Sequence, residues 1–279
     1  ARSSGPPAPT ARTTILRTPD VAFTRQVDCG DAGPCQLRLD VIAPPGEGPH
    51  PTAVVVAGAP AGPDGRSGVG LLANALARRG VLVFLADYRA IGSGGGYPQS
   101  IEDVACAMRF ARAHAAEHAG DPHGLALVGY SLGGLMTVAI ALGPAPSPAA
   151  CLAEGDPRPA IAATIAGDPW PPPDNPEYVT FLGGTRSTRP EAWDALDARR
   201  LIGGHPGVVM RALVGSLEPD ILSTQAELDR LLRQADHDSA VIEIPRADHA
   251  GVVRPSGAGA ATVDAIVGLL TGPAAFGPP

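Results

Sequence analysis

Apolar positions in this 279-residue chain fall into two alternating patterns. Short unbroken runs recur at PTAVVVAGAP (51–60), VLVFLADYR (81–89), the stretch 124–130, AIAATIAG (160–167), GVVMRALVG (207–215) and SAVIEIP (239–245). Runs this short and this rich in Val, Ile, Leu and Ala predict strands covered on both faces. CQLRLDVIAP (35–44) alternates instead and reads as a strand near a sheet edge. Between the runs, apolar residues recur at helical spacing. These segments are GVGLLANALARRG (68–80, with Gly80 as a stop signal), 100–120, the stretch after Ser131, 189–201, 223–234 and 259–270. Ser100 and Asp103 have capping-box spacing at the start of the second.

This strand–helix order predicts a mainly parallel sheet with helices on both faces. The chain reads as a loose N-terminal tail (1–20) followed by a single α/β domain (21–279), with no internal repeat. The longest irregular insertion is the Pro-rich segment 168–188, DPWPPPDNPEYVTFLGGTRST. It follows the carboxyl end of a strand, where open α/β sheets place their ligands. It reads as a pocket wall or as a surface loop.

Composition narrows the partners. The chain is 44% hydrophobic and 18% charged, enough for a sizeable core. All 21 basic residues are arginine, the net charge is −7, and no basic cluster predicts nucleic-acid binding. No apolar run approaches the roughly 18 residues of a membrane span. Oligomeric state is left open. Cys29 and Cys35 flank the turn-rich GDAGP and could close a small disulfide loop; Cys106 and Cys151 complete an even count. The cysteine count and the missing initiator Met favour export, with buried free thiols in a cytoplasmic protein as the alternative. No His/Cys spacing suggests a metal site.

Candidate chemistry centres on GYSLG (129–133), a G-x-S-x-G sequence between a predicted strand and a predicted helix. A turn that sharp holds Ser131 in a strained conformation, with its hydroxyl over a helix N-terminus. A serine needs a base, and His249 follows the last predicted strand. The base needs a carboxylate, and Glu218 and Asp220 both follow the preceding strand. Glu218 is the first choice and Asp220 the alternative, which could instead cap the next helix; Asp168 and Asp248 are the remaining candidates.

The order Ser131, Glu218, His249 is the order of the α/β-hydrolases, which the chain resembles over roughly residues 35–270. The resembling stretches include RLDVIAPPGEGPHPTAVVVAG, LARRGVLVFLADYR, YPQSIEDVACAMRFARAHA, LALVGYSLGG and LGGTRSTRPEAWDALDARRLI. More narrowly it is similar to bacterial carboxylesterases related to acetyl esterases, hormone-sensitive-lipase-like and dienelactone-hydrolase-like proteins. The resemblance implies the α/β-hydrolase fold, with a mainly parallel eight-stranded sheet. It also implies hydrolysis of small-molecule esters through an acyl-enzyme, without a cofactor.

The chain departs from that pattern in three places. AGAPAG (57–62) replaces the usual His-Gly-Gly-Gly and is closer to a His-Gly-x-Pro loop with alanine for histidine. Pro60 has no N–H, which leaves the amides of Ala59 and Leu132 as the oxyanion donors. Glu218 stands for the usual aspartate, and Tyr130 and Leu132 flank the serine where relatives carry other residues. Trp170, Tyr178 and Phe181 are candidates for lining a short-chain ester pocket, with core or loop roles as the alternative. Two further alternatives stand: another acyl hydrolase (thioesterase, lactonase or peptidase), and an inactive binding protein on the same fold.

Overall fold

The structure is a computed structural model and describes residues 13–59, 66–173 and 175–272. Eight strands form one sheet: β1 (Leu16–Asp28), β2 (Pro34–Ala43), β3 (Thr52–Val56), β4 (Leu82–Ala86), β5 (Ala126–Tyr130), β6 (Ile161–Ile165), β7 (Val209–Gly215) and β8 (Ser239–Ile244). Their spatial order is β1-β2-β4-β3-β5-β6-β7-β8. The β1–β2 and β2–β4 pairs are antiparallel, and every later pair is parallel. The central strands β3, β4, β5 and β6 are buried along nearly their whole length, as their unbroken apolar runs require.

The helices are α1 (Ser67–Arg78), α2 (Gln99–His114), α3 (Leu132–Leu142), α4 (Pro176–Phe181), α5 (Pro190–Ala195), α6 (Ala198–Leu201), α7 (Pro219–Gln234) and α8 (Ala260–Thr271). Leu72 and Leu76 of α1 pack with Val263, Ile266 and Leu270 of α8 against one face of the sheet. Val104 and Met108 of α2 and Leu135 and Met136 of α3 cover the other face. Leu228 and Leu232 of α7 join that side against Val138 of α3.

Several elements differ from expectation. β1 begins at Leu16, inside the expected tail; residues 1–12 of that tail lie outside the described residues. This strand is mostly exposed along the sheet edge, so it carries little apolar signal. Ser100 and Asp103 do not cap α2. Ser100 Oγ donates to the Arg89 carbonyl and accepts from Gly96 N–H, and Asp103 pairs with the Arg89 guanidinium. The expected helix 189–201 is two short ones, because Asp197 accepts from Arg199 N–H and caps a new start at α6.

Two disulfides form, Cys29–Cys35 across the β1–β2 turn and Cys106–Cys151. The second links α2 to the α3–β6 connection, which itself bridges to β1 through Thr24 and Cys151. Paired cysteines of this kind suit an oxidising compartment. Among the described residues no helix is long and apolar enough to cross a membrane.

Candidate active site

Ser131 lies between β5 and α3 with φ 54° and ψ −120°, a conformation costly for any residue but glycine. Its N–H donates to the Ile165 carbonyl of β6 (2.9 Å), and its carbonyl accepts from Gly134 N–H (2.8 Å). The flanking glycines are steric requirements. A Cβ on Gly129 would strike the Gly133 carbonyl and the Thr137 hydroxyl, and one on Gly133 would lie 2.5 Å from the Ala57 carbonyl.

Ser131 Oγ is 3.1 Å from His249 Nε2, and His249 Nδ1 is 2.6 Å from Glu218 Oε1. A carboxylate only accepts, so Nδ1 carries the proton and Nε2 is left to accept from the serine hydroxyl. Glu218 occupies the N-cap position of α7, with Pro219 opening the helix. Its side chain is only 10% exposed, and Oε2 is buried with no hydrogen-bond partner among the described residues. The pKa of His249 is raised above 6.5, chiefly by the Glu218 hydrogen bond; burial opposes this, and the charges of Glu218, Asp168 and Glu177 add to it.

The other acid candidates are elsewhere engaged or exposed. Asp220 is exposed in the first turn of α7. Asp248 turns back to accept from Gly251 N–H (2.6 Å). Asp168, half-buried at the exit of β6, accepts from the Tyr178 hydroxyl (2.9 Å). Burial raises the Asp168 pKa.

β3, the parallel neighbour of β5, leads to the serine from the other side. A Cβ on Gly58 would come within 2.5 Å of the Ser131 Cβ, so this backbone touches the serine directly. The Tyr88 hydroxyl donates to the Ala57 carbonyl (3.1 Å). Ala59 follows at the strand exit, and the remaining loop residues Pro60, Ala61 and Gly62 lie outside the described residues. Arg66, at the far end of that loop, pairs with Asp20 (2.7 Å), Asp87 (3.0 Å) and Asp40. Leu132 opens α3, where the first amides have no intrahelical acceptor.

The three aromatic candidates turn inward or aside. Phe181 is 1% exposed in the main core. Tyr178 is 4% exposed and reaches the site only through its hydroxyl on Asp168. Trp170 packs against the buried cluster that includes Val138, Leu228 and Leu232 and lies under the Arg199 guanidinium, 4.3 Å from the ring centroid. Tyr130 makes a contact that its sequence position does not assign. Its hydroxyl donates to the His249 carbonyl (3.0 Å), and the two rings are 5.2 Å apart. Its place beside Ser131 was the one available signal. Among the described residues no group of three His, Cys, Asp or Glu could hold a metal ion.

A family model described as BD-FAE matches residues 39–145. No curated protein matches the chain. Solved structures do. A truncated carbohydrate esterase from gut microbiota aligns with TM-score 0.68 at 16% identity, over 95% of this chain and 99% of that one. The propionate-bound esterase Est2 of Thermogutta terrifontis aligns with TM-score 0.69 at 17% identity, over 89% and 93%. Carboxyl esterase 2 of Tuber melanosporum aligns with TM-score 0.66 at 17% identity, over 97% and 88%. Together with the sheet order and the strand-to-helix turn at Ser131, these likenesses give the chain the α/β-hydrolase fold.

Proposed function

We propose that the protein is a serine hydrolase of carboxylic esters with short acyl chains. The observation that carries this reading is the unbroken hydrogen-bonded line from Ser131 Oγ through His249 to Glu218. Ser131, Glu218 and His249 come from the carboxyl ends of β5, β7 and β8, and Ala59 from that of β3. The esterases whose structures align with this chain support the same reading.

Ser131 attacks the ester carbonyl while His249 Nε2 takes its proton. The amides of Ala59 and Leu132 receive the oxyanion. The imidazolium, stabilised by Glu218, protonates the departing alcohol. Water then repeats the sequence on the acyl-enzyme and releases the acid, regenerating Ser131. The short-chain preference rests on the inward packing of Tyr178 and Phe181, which leaves them no apolar surface to spread over the serine.

The test is a fluorophosphonate probe followed by acetyl, butyryl and octanoyl esters, on the wild type and on Ser131→Ala. Labelling and turnover confined to the wild type, greatest on the shorter esters, support the proposal. An unlabelled wild type would leave a binding protein on a hydrolase fold. Turnover restricted to thioesters or peptides would move the activity to another acyl transfer.

A further inference from the structure

No carboxylate pairs with Arg109 among the described residues, although it is 5% exposed on α2. Its Nε donates to the Gly155 carbonyl (2.7 Å) and its Nη2 to the Pro146 carbonyl (2.5 Å). Its Nη1 lies 3.7 Å from Cys151 Sγ, a weak acceptor. Asp156, whose charge acts on Arg109, is itself bound to Arg158 (3.0 Å). Arg66 and Arg89 are less buried, yet each binds an acid, Asp87 at 3.0 Å and Asp103 at 2.9 Å. Buried charges are ordinarily paired, because a lone charge in a low dielectric is costly. Burial lowers the Arg109 pKa accordingly, against the opposing charge of Asp156.

Beside this arginine is a cavity of about 430 Å³. Residues of α2, β1 and the α3–β6 connection (143–160) line it, among them Arg109, Arg25, Ser147, Cys151 and Glu154. The connection is fixed on both sides. The Cys106–Cys151 disulfide bonds it to α2. On the β1 side, Arg25 N–H donates to the Ala150 carbonyl (2.7 Å) and Leu152 N–H to the Phe23 carbonyl (3.2 Å). Arg25 Nη1 donates to the Ala149 carbonyl (2.8 Å). Backbone carbonyls, and not acids, therefore hold both guanidiniums. Such a frame keeps its donors in place before a ligand arrives, so little ordering opposes binding.

The spare donors define the ligand. A guanidinium has five N–H groups, and the contacts above occupy three of those on Arg109. Nη1 and Nη2 each keep one N–H without an acceptor among the described residues. Two N–H groups on a planar fork match two oxygens of a carboxylate or phosphate. Arg25 adds a second cation and Ser147 a hydroxyl, both exposed. Glu154 is the one acid among the lining residues described, which leaves positive charge in excess. The cavity shares no lining residue with Ser131, His249 and Glu218. Its connection enters β6 at the amino end of that strand, whereas Ser131 follows the carboxyl end of the parallel strand β5.

We propose that this cavity is a second binding site, in which Arg109, with Arg25 and Ser147 at its mouth, takes the oxygens of a carboxylate or phosphate group. The proposal needs no turnover and is independent of the ester-hydrolase reading above.

Isothermal titration of the full chain tests it, with sodium phosphate and sodium acetate as probes and ionic strength held constant with sodium chloride. Saturable binding of phosphate alone would assign the site to a phosphate group, of acetate alone to a carboxylate, and of both to either oxyanion. Arg109→Gln should abolish that binding. Arg25→Gln, an exposed change that leaves Arg109 in place, should weaken it about tenfold, the value of one charge-assisted hydrogen bond. Glu154→Gln, which removes the lining acid, should tighten it about threefold. An arginine that merely holds carbonyls predicts neither of these last two effects. If Arg109→Gln does not fold, the opposite signs of the Arg25 and Glu154 variants decide. No saturable heat with either anion, or an affinity indifferent to Arg25→Gln and Glu154→Gln, would overturn the inference; the second result would place the anion elsewhere on the protein.

Discussion

Glu218, and not Asp220, meets His249: its Oε1 stands 2.6 Å from Nδ1, while Asp220 is exposed in the first turn of α7. The two carboxylates are separated in sequence only by Pro219. The proline opens the helix, so Glu218 still belongs to the strand exit, whereas Asp220 has rotated onto the helix surface. Glu218→Gln should lower kcat by about 10³–10⁴-fold, as loss of the imidazole's orienting carboxylate does elsewhere. Asp220→Asn should stay within about twofold. Steady-state kinetics on a short-chain ester decide between them; the reverse ranking would reassign the acid.

Activity should depend on pH through His249. Its folded pKa lies above 6.5, chiefly because Glu218 holds the imidazolium. Only the neutral ring can take the serine proton, so kcat/KM should rise with pH through this raised value and reach a plateau above it. Stability carries the opposite sign. A raised folded pKa contributes stability that is complete below 6.5 and disappears as pH rises through the folded value. Glu218→Gln should move the kinetic midpoint to lower pH. A midpoint indifferent to that change would contradict the coupling.

Tyr130 should prove a positioning residue. Its hydroxyl fixes the His249 carbonyl at 3.0 Å, and its ring packs beside the imidazole. Removing one neutral hydrogen bond costs about 1 kcal/mol. Tyr130→Phe should therefore lower kcat about fivefold, by that energy's rate equivalent, with a smaller change in KM. Tyr130→Ala, which removes the ring as well, should cost more. A KM effect without a kcat effect would mean that the side chain contacts substrate instead.

The Cys106–Cys151 link spans 45 residues. Loop-closure entropy for that length gives about 4 kcal/mol, before any residual structure in the unfolded chain is allowed for. The Cys106→Ala/Cys151→Ala double variant should lose most of that in urea unfolding. The Cys29–Cys35 pair, separated by 6 residues, should matter less. Equal losses from the two would count against the entropic account.

The parts of this architecture that were legible in the sequence were those whose physics is local. β3, β4, β5 and β6 are buried on both faces, so their runs are unbroken and easy to read. The candidate side chains of the site follow such strands, which made Ser131, His249 and the pair Glu218/Asp220 findable. β1 was hidden because an exposed edge strand needs no apolar face. Ser100 and Asp103 looked like a cap because the spacing matched, but their partners lie on the 89–96 loop, which spacing does not reveal. Phe181 and Trp170 could equally have lined a pocket or packed inside, and only tertiary contacts separate those outcomes. Asp168 gained its setting from Tyr178, ten residues away across a Pro-rich stretch with no periodicity.

The pressure of the Ala57 carbonyl on Gly133 joins the exit of β3 to the first turn of α3 with no side chain between them. Two pieces of main chain in such contact cannot drift independently. The strand exit and the helix start would keep their mutual spacing through thermal fluctuation. Evolution or design could then reshape the surrounding loops freely, because the tolerance of the machine is set by one glycine's missing carbon.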